Sequence, residues 1–177
     1  PDLLISGDGR HIGITGAAEG KLLVLRDGRS SYAKDNLSEI AGMSGETMTL
    51  DDWPGANCNP DYCTLVLERG GRKWRFLIAR GMHAVPERSL AAACDVSDIV
   101  VAGRWLPQSC KPQWLKADRT MLGKTGGLTV DLGKGQYVSV AQGQGQHGWW
   151  RETVRPPFKP RVEASGTGVV PTDKPGA

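Results

Sequence analysis

The chain has three histidines, His11, His83 and His147, and their spacing decides which metal chemistry the sequence supports. A hydrolytic metal site needs several clustered nitrogen and oxygen ligands and one open position for water. The three imidazoles are far apart in sequence, and none belongs to an H-x-H, H-E-x-x-H or H-x-x-E-H motif. We therefore predict no metal site and no cofactor, and we expect the histidines at surface or loop positions.

Three aspartates, Asp8, Asp98 and Asp118, are the carboxylates that could act as a general acid or base. That role requires a carboxyl group in a cleft with a shifted pKa, and the sequence places none of them in a cleft. The local sequence favours a turn for Asp8, the position before a strand for Asp98 and a helix N-cap for Asp118. No G-x-S-x-G motif surrounds a serine, so we predict no catalytic residue.

The segment 122–125 (LGKT) resembles the end of a phosphate-binding loop. The glycine that such a loop requires five residues before Gly123 is replaced by Asp118. The backbone that would surround the phosphates is therefore incomplete, and we interpret the segment as a turn before a strand.

Tryptophans beside cationic side chains occur at two places, and this combination is typical of surfaces that stack single-stranded bases and hold phosphates. The alternative is that the tryptophans pack against the end of the core while the arginines extend to water. The candidate DNA contacts are Arg72, Lys73, Trp74, Arg75, Trp149, Trp150 and Arg151.

The four cysteines form two local pairs, Cys58 with Cys63 and Cys94 with Cys110. An even count in two near pairs favours two disulfides and an oxidising compartment. Unpaired core thiols remain an alternative. Zinc is a further alternative, although neither pair has the C-x2-C spacing and no histidine lies beside either pair.

Composition indicates one strand-rich domain followed by a tail. The 177 residues include 24 Gly and 11 Pro, which favours short elements joined by many turns. The formal net charge of +3 argues against the broad basic surface of a strong nucleic-acid binder. Residues 152–177 bury too little apolar surface to offset their ordering entropy. We expect a single globular domain over residues 1–151 and a flexible Pro/Gly-rich tail over residues 152–177.

The sequence contains no apolar run near the roughly 20 residues that cross a bilayer and no signal segment at its start. It opens at Pro1 with strand-forming residues. We therefore expect a part of a longer protein, with any membrane-spanning segments upstream.

Turn signals and apolar periodicity predict the order strands, helix, strands, helix, strand, short helix and strands. Hairpins are predicted around residues 7–9, 69–72 and 133–135, where glycine accompanies polar residues, and the last of them joins strands predicted over residues 127–131 and 136–141. Helices are predicted over residues 32–41 and from Pro86 onward, and residues 98–102 have the β-branched character of a buried strand. The predicted fold class is a mixed, strand-rich α/β domain.

Several of these segments together resemble the C-terminal region of ComEC-family competence proteins. The resemblance lies in residues 1–12 (PDLLISGDGRHI), the Cys58 and Cys63 pair, residues 94–101 (CDVSDIVV) and Cys110, and it covers about residues 1–150. Members of this family are inner-membrane proteins implicated in passing one DNA strand into the cell. In many of them this region resembles a metallo-β-lactamase domain with an H-x-H-x-D-H ligand set, which this sequence lacks.

The resemblance implies a degenerate metallo-β-lactamase-like αββα half with β-hairpins, facing the periplasm beside the channel. It implies as partners the membrane part of the same polypeptide, single-stranded DNA and other DNA-uptake proteins. The function we expect is that of a noncatalytic extracytoplasmic domain of a DNA-uptake channel. The alternatives are a metal-dependent nuclease-type domain that processes incoming DNA, and a protein-interaction module without DNA contact.

Overall fold

The structure is a computed structural model that describes residues 1–26, 28, 31–44 and 46–144. The described part is a strand-rich mixed α/β fold, which confirms the predicted fold class. Its elements in chain order are β1 (Leu3–Ser6), β2 (Ile12–Ala18), β3 (Lys21–Val24), α1 (Ser31–Ala41), β4 (Thr47–Thr49), β5 (Ala56–Cys58), β6 (Tyr62–Arg69), β7 (Arg72–Ala79), α2 (Glu87–Asp95), β8 (Ile99–Val101), β9 (Leu115–Ala117), α3 (Arg119–Thr125), β10 (Gly127–Asp131), β11 (Gln136–Ser139) and α4 (Val140–Gln144).

The strands form two mixed sheets. The first sheet has the order β11-β10-β1-β2-β3-β4, and its neighbours are antiparallel except for the parallel pair β3 and β4. The second sheet has the order β5-β6-β7-β8-β9, with antiparallel pairs up to β7 and parallel pairs beyond it. The parallel strand β8 is buried along its whole length between β7 and β9, as its continuous β-branched sequence predicted.

The main core lies between the two sheets. Leu3 and Ile5 of the first sheet belong to the same buried cluster as Phe76 and Ile99 of the second. Successive side chains of a strand point to opposite faces, so Leu4 lies on the outer face of the first sheet, in a cluster with Leu37 of α1.

The outer face of the second sheet is covered in the same way. Leu77 and Val100 pack there with Leu90 and Cys94 of α2. The layers therefore follow the order helix, sheet, sheet, helix. This is the αββα arrangement named among the expectations, while a relation to metallo-β-lactamases stays a prediction.

Several elements differ from the sequence prediction. Strands β4, β5 and β9 have three residues each. Three residues are too few to show the alternation of apolar and polar side chains by which a strand is recognised, so these segments look like loops in the sequence. The strand predicted over residues 136–141 ends at Ser139, and the chain turns there into α4. The Ser139 backbone N–H donates to the Gln142 side chain at 2.9 Å, and the Gln142 N–H donates to Ser139 Oγ at 3.3 Å.

Two loops meet closely at one end of the sandwich. The turn between β1 and β2 brings Gly9, with a φ of 67°, against the backbone that follows β8. A Cβ at Gly9 would lie 2.8 Å from the carbonyl oxygen of Ala102, and one at Gly103 would lie 2.9 Å from that of Asp8. Glycine at both positions lets the loops approach, and this approach fixes the geometry at that end of the two sheets.

None of the helices in the described ranges is both long and apolar enough to cross a membrane.

Candidate nucleic-acid interface

The hairpin of β6 and β7 carries the first group of candidate DNA contacts at its tip. Gly70 and Gly71 form the turn with φ values of 60° and 73°, a region that glycine adopts without steric cost. The next residues, Arg72, Lys73 and Arg75, are all exposed at the start of β7. The structure thus brings three of the predicted contacts to one exposed place.

Lys73 and Arg75 point away from the core because Trp74, between them, points into it. Lys73 lies opposite Glu68 in the strand pairing. Arg75 donates one hydrogen bond from Nη1 to the carbonyl oxygen of Val96, at 3.4 Å. A guanidinium has five N–H donors, so Arg75 retains donors that could reach a phosphate.

Trp74 does not fit the stacking role considered for it. It is only 3% exposed and belongs to the main core. The guanidinium carbon of Arg72 lies 4.1 Å from its ring centroid, and the ring centroid of Trp114 lies 4.9 Å away. Because these neighbours cover the ring, it offers no free face to a base, and its position matches the core-packing alternative.

Asp98 holds the hairpin to the start of β8. Its Oδ1 accepts a hydrogen bond from Arg72 Nη2 at 2.8 Å, and its Oδ2 accepts one from the backbone N–H of Arg75 at 2.9 Å. The residue is 6% exposed. Asp98 therefore lies immediately before a strand, as the sequence indicated, with both carboxylate oxygens engaged.

Asp8 lies in the turn between β1 and β2 and is partly exposed. Its Oδ1 accepts hydrogen bonds from Ser6 Oγ and from the backbone N–H of Arg10, and its Oδ2 lies 3.4 Å from His11 Nδ1. Partial burial opposes ionisation, but the hydrogen bonds from Ser6 and Arg10 and the nearby imidazole outweigh it and lower the pKa of Asp8. The carboxylate is thus stabilised in its charged form, which suits a turn-forming residue better than a proton donor.

Asp118 is the N-cap of α3, which confirms the sequence interpretation. Its Oδ1 accepts hydrogen bonds from the N–H groups of Thr120 and Met121 at 3.0 and 3.2 Å. Its Oδ2 accepts one from the N–H of Leu106 at 3.2 Å. Asp118 is 4% exposed, so this carboxylate is not open to a substrate.

The LGKT segment is part of a helix, so its interpretation as a turn was wrong. Residues 122–125 form the second half of α3. The cap at Asp118 starts the helix, and Gly126, with a φ of 71°, ends it with a left-handed residue. The turn that the sequence suggested therefore begins one residue later, at Gly126.

Two disulfides join the four cysteines. Cys58 and Cys63 are directly opposite each other on β5 and β6, with Cα atoms 4.0 Å apart. Cys94 on α2 is joined to Cys110 in the loop between β8 and β9, with Cα atoms 5.1 Å apart. The first disulfide closes the β5–β6 hairpin, and the second holds α2 against the loop that leaves β8.

The histidines within the described ranges do not assemble into a metal centre. His11 pairs with Asp8, and His83 is exposed after β7. In these ranges no three or more His, Cys, Asp or Glu side chains come together as ligands. His147 and the candidate DNA contacts Trp149, Trp150 and Arg151 lie outside the described residues, as do the predicted domain boundary at residue 151 and the predicted tail.

Three arginines that no sequence motif connects are brought to one cleft by the fold. Arg10 lies in the turn before β2, Arg26 follows β3 and Arg80 follows β7, and all three line a cleft of about 210 Å³. The residues are separated by 16 and 54 positions, so no local motif contains them. The available signal was the position of Arg10 directly after the hairpin turn predicted around residues 7–9.

Comparisons with known proteins do not identify a family for this chain. No protein-family model matches it, and no match was found among curated proteins or solved structures.

Proposed function

We propose that this chain is a noncatalytic extracytoplasmic domain of an inner-membrane DNA-uptake channel of the ComEC family. The proposal starts from the sequence resemblance, whose segments occupy defined places in the fold. Residues 1–12 form β1 and the turn into β2, and residues 94–101 run from the end of α2 through β8. The resemblance therefore lies in residues of both sheets.

The observation that carries the location is the pair of disulfides. Cys58 is bonded to Cys63 and Cys94 to Cys110, and no described cysteine is free. Disulfides persist in the periplasm and outside the cell and are rare in the reducing cytoplasm. This supports a periplasmic domain whose first partner is the membrane part of the same polypeptide.

The exposed cations of the β6–β7 hairpin support a contact with single-stranded DNA. Lys73 and Arg75 lie on one face of β7, two residues apart, and Arg72 lies at the turn. A few such side chains give modest, salt-dependent binding through the phosphate backbone. Modest affinity is what a channel domain requires if the strand is to move past it.

The noncatalytic part of the proposal rests on how the candidate carboxylates are engaged. Asp98 and Asp118 each use both oxygens to accept hydrogen bonds inside the fold. Asp8 is the partly exposed one of the three. A nuclease-type domain would need further ligands from another part of the full-length protein.

Two assays on the full 177-residue chain, purified with its disulfides intact, test the activity. The first incubates it with labelled single- and double-stranded DNA in Mg²⁺ or Mn²⁺, with and without chelator; we expect no cleavage. Chelator-sensitive cutting by the wild-type chain would contradict the noncatalytic assignment and favour the nuclease alternative.

The second assay measures the anisotropy of a labelled oligo-dT strand between 20 and 200 mM salt. We expect binding that weakens with salt, and Lys73→Gln/Arg75→Gln should reduce the slope of log K against log salt by about 1.4, since each phosphate contact on a single strand contributes about 0.7. The matched control is Arg88→Gln/Lys111→Gln, which removes two exposed charges elsewhere. Absence of DNA binding by the wild-type chain would favour the interaction-module alternative.

The location is tested in cells that make the full-length protein. Trapping thiols with a maleimide before lysis should leave all four cysteines of this domain unmodified unless a reductant is added first. Labelling of the four cysteines without reductant would refute the extracytoplasmic location.

A further inference from the structure

The cleft lined by Arg10, Arg26 and Arg80 is a candidate ligand site that is separate from the β6–β7 hairpin. It lies at the end of the sandwich where the turn between β1 and β2 meets the loops that follow β3, β7 and β8. Three arginines from three separate loops line one space of about 210 Å³. A bulk water occupies about 30 Å³, so this space holds a tetrahedral oxyanion together with several waters.

Arg10 and Arg26 are available to a ligand. Both are exposed, and within the part of the chain that the structure describes neither has a carboxylate partner. Arg26 donates from Nη2 to the carbonyl oxygen of Arg80, and Arg10 Nη2 lies 3.9 Å from the sulfur of Met82. Among the described residues each guanidinium thus makes one interaction, and it retains most of its five donors.

Arg80 also lines the cleft, but its side chain is held more firmly. Its side chain is 25% exposed, and its Nη1 donates to the carbonyl oxygen of Asn59 at 2.9 Å. Its Nη2 pairs with Asp51. Asp8, the carboxylate in the turn beside Arg10, is engaged by Ser6 and His11, and the Arg80 backbone N–H donates to the carbonyl oxygen of Asp61.

The balance of charge therefore favours an anion. Three arginines line the cleft, and among the described residues Arg80 is the one paired with a carboxylate, that of Asp51. Bringing like charges to one place is unfavourable unless an anion compensates them. Guanidinium is also the group best matched to phosphate, because its planar N–H donors bind two oxygens at once.

The glycines of the cleft do not add to this argument. Gly9 and Gly103 are required by the close approach of the two loops, and a Cβ on either would collide with backbone of the other. The arginines and the space between them are the features that favour a ligand.

We propose that this cleft is an oxyanion site that binds a phosphate group. The phosphate belongs either to free inorganic phosphate or to the phosphodiester backbone of a nucleic-acid strand. The inference does not depend on the proposed function, because the chemistry is the same for both sources.

The first arm of the test uses inorganic phosphate as the probe. Sodium phosphate is titrated into the isotope-labelled chain at pH 7, with sodium chloride holding the ionic strength constant, and the arginine Nε–H resonances are followed. We expect saturable shifts at Arg10, Arg26 and Arg80, and no saturable shift at Arg88. Shifts that rise linearly without saturation, or that are as large at Arg88, would overturn the proposal.

The second arm measures oligo-dT binding by the wild type, by Arg10→Gln/Arg26→Gln and by the charge-matched control Arg88→Gln/Lys111→Gln. If a phosphodiester is the source, the cleft variant should bind roughly tenfold more weakly, the loss expected when charged hydrogen bonds are removed, while the control stays within twofold. An unchanged oligo-dT affinity together with saturable phosphate shifts would identify free phosphate as the ligand.

Arg10→Gln and Arg26→Gln replace exposed side chains, so the variant should keep the wild-type circular dichroism spectrum and melting temperature. If phosphate gives no saturable shift and the cleft variant binds oligo-dT as the control does, the site does not exist. DNA binding by the wild-type chain would then still stand, so this failure is distinguishable from failure of the proposed function.

Discussion

Replacing Asp98 with alanine should destabilise the fold by more than replacing its ionic partner. The carboxylate is 6% exposed and accepts hydrogen bonds from the Arg72 side chain at 2.8 Å and from the Arg75 backbone N–H at 2.9 Å. Asp98→Ala removes both acceptors at the point where β8 joins β7. Arg72→Ala removes only one donor, and that donor is on a side chain that is 54% exposed.

The magnitudes separate the two variants. A hydrogen bond to a charged acceptor contributes about 1.5–3 kcal/mol, and Arg75 loses such an acceptor inside the sheet. The ion pair adds about 1 kcal/mol, because water reaches the half-exposed Arg72 side chain and screens the interaction. We expect Asp98→Ala to cost about 2–4 kcal/mol. Arg72→Ala should cost about 1–2 kcal/mol, since it also loses its place 4.1 Å from the Trp74 ring.

Urea unfolding followed by tryptophan fluorescence measures these free energies. The cycle comprises the wild type, Asp98→Ala, Arg72→Ala and the double variant, all with disulfides intact, and Asp95→Ala provides an exposed carboxylate as control. We expect a coupling energy of about 0.5–1 kcal/mol between Asp98 and Arg72 and a change within about 0.5 kcal/mol for the control.

Two results would refute this reasoning. One is an Arg72→Ala cost equal to that of Asp98→Ala, which would mean that the ion pair and not the backbone hydrogen bond dominates. The other is nuclease activity in a longer form of the protein that disappears in Asp98→Ala while the fold remains intact. That outcome would give Asp98 the catalytic role of the alternative hypothesis.

Three further predictions concern other parts of the fold. Replacing both cysteines of the Cys94–Cys110 disulfide with serine should lower the free energy of unfolding by about 3 kcal/mol, because this disulfide spans 16 residues. The same replacement at Cys58 and Cys63, which are five residues apart, should lower it by about 2 kcal/mol. Equal losses in urea unfolding would contradict the dependence on loop length. Asp118→Ala should cost about 2 kcal/mol by removing a helix cap and a buried acceptor, whereas Asp118→Asn should keep most of the cap, and equal effects in the same assay would exclude capping. The pKa of Asp8 is lowered in the folded state, so this carboxylate contributes stability above its unfolded pKa of about 3.9. The difference in melting temperature between the wild type and Asp8→Asn should therefore disappear as the pH falls through the folded pKa. A difference that stays constant down to pH 2 would disprove the assignment.

Local signals predicted the elements that have enough residues to show a pattern. The hairpin turn at Gly70 and Gly71 was predicted from glycine content, and both residues have positive φ. The predicted helix over residues 32–41 corresponds to α1 at Ser31–Ala41, because four apolar positions on one face are a strong periodic signal. Strand β10 was predicted at its observed bounds.

The sequence could not predict features that depend on distant pairing. Strand β9 contributes three residues to the sheet only because β8 lies beside it, and nothing within residues 115–117 indicates this. Trp74 was considered as a surface residue because its neighbours are cationic, but strand alternation turns it inward while those neighbours face water. For the same reason the arginines of the cleft were missed, since their common position arises from three different loops.

The position of β1 between β2 and β10 determines the order in which the first sheet can form as the domain folds. On one edge β1 pairs with β2, its neighbour in sequence, and Leu3 lies opposite Ile14. On the other edge β1 pairs with β10, and Leu3 lies opposite Val130. During synthesis that second edge stays unpaired until residue 130 and its neighbours have emerged, and an unpaired apolar strand is prone to associate wrongly. The first sheet can therefore be completed only late, after all four cysteines have emerged, so any protein that assists the folding of this chain should act on β1 before β10 pairs with it.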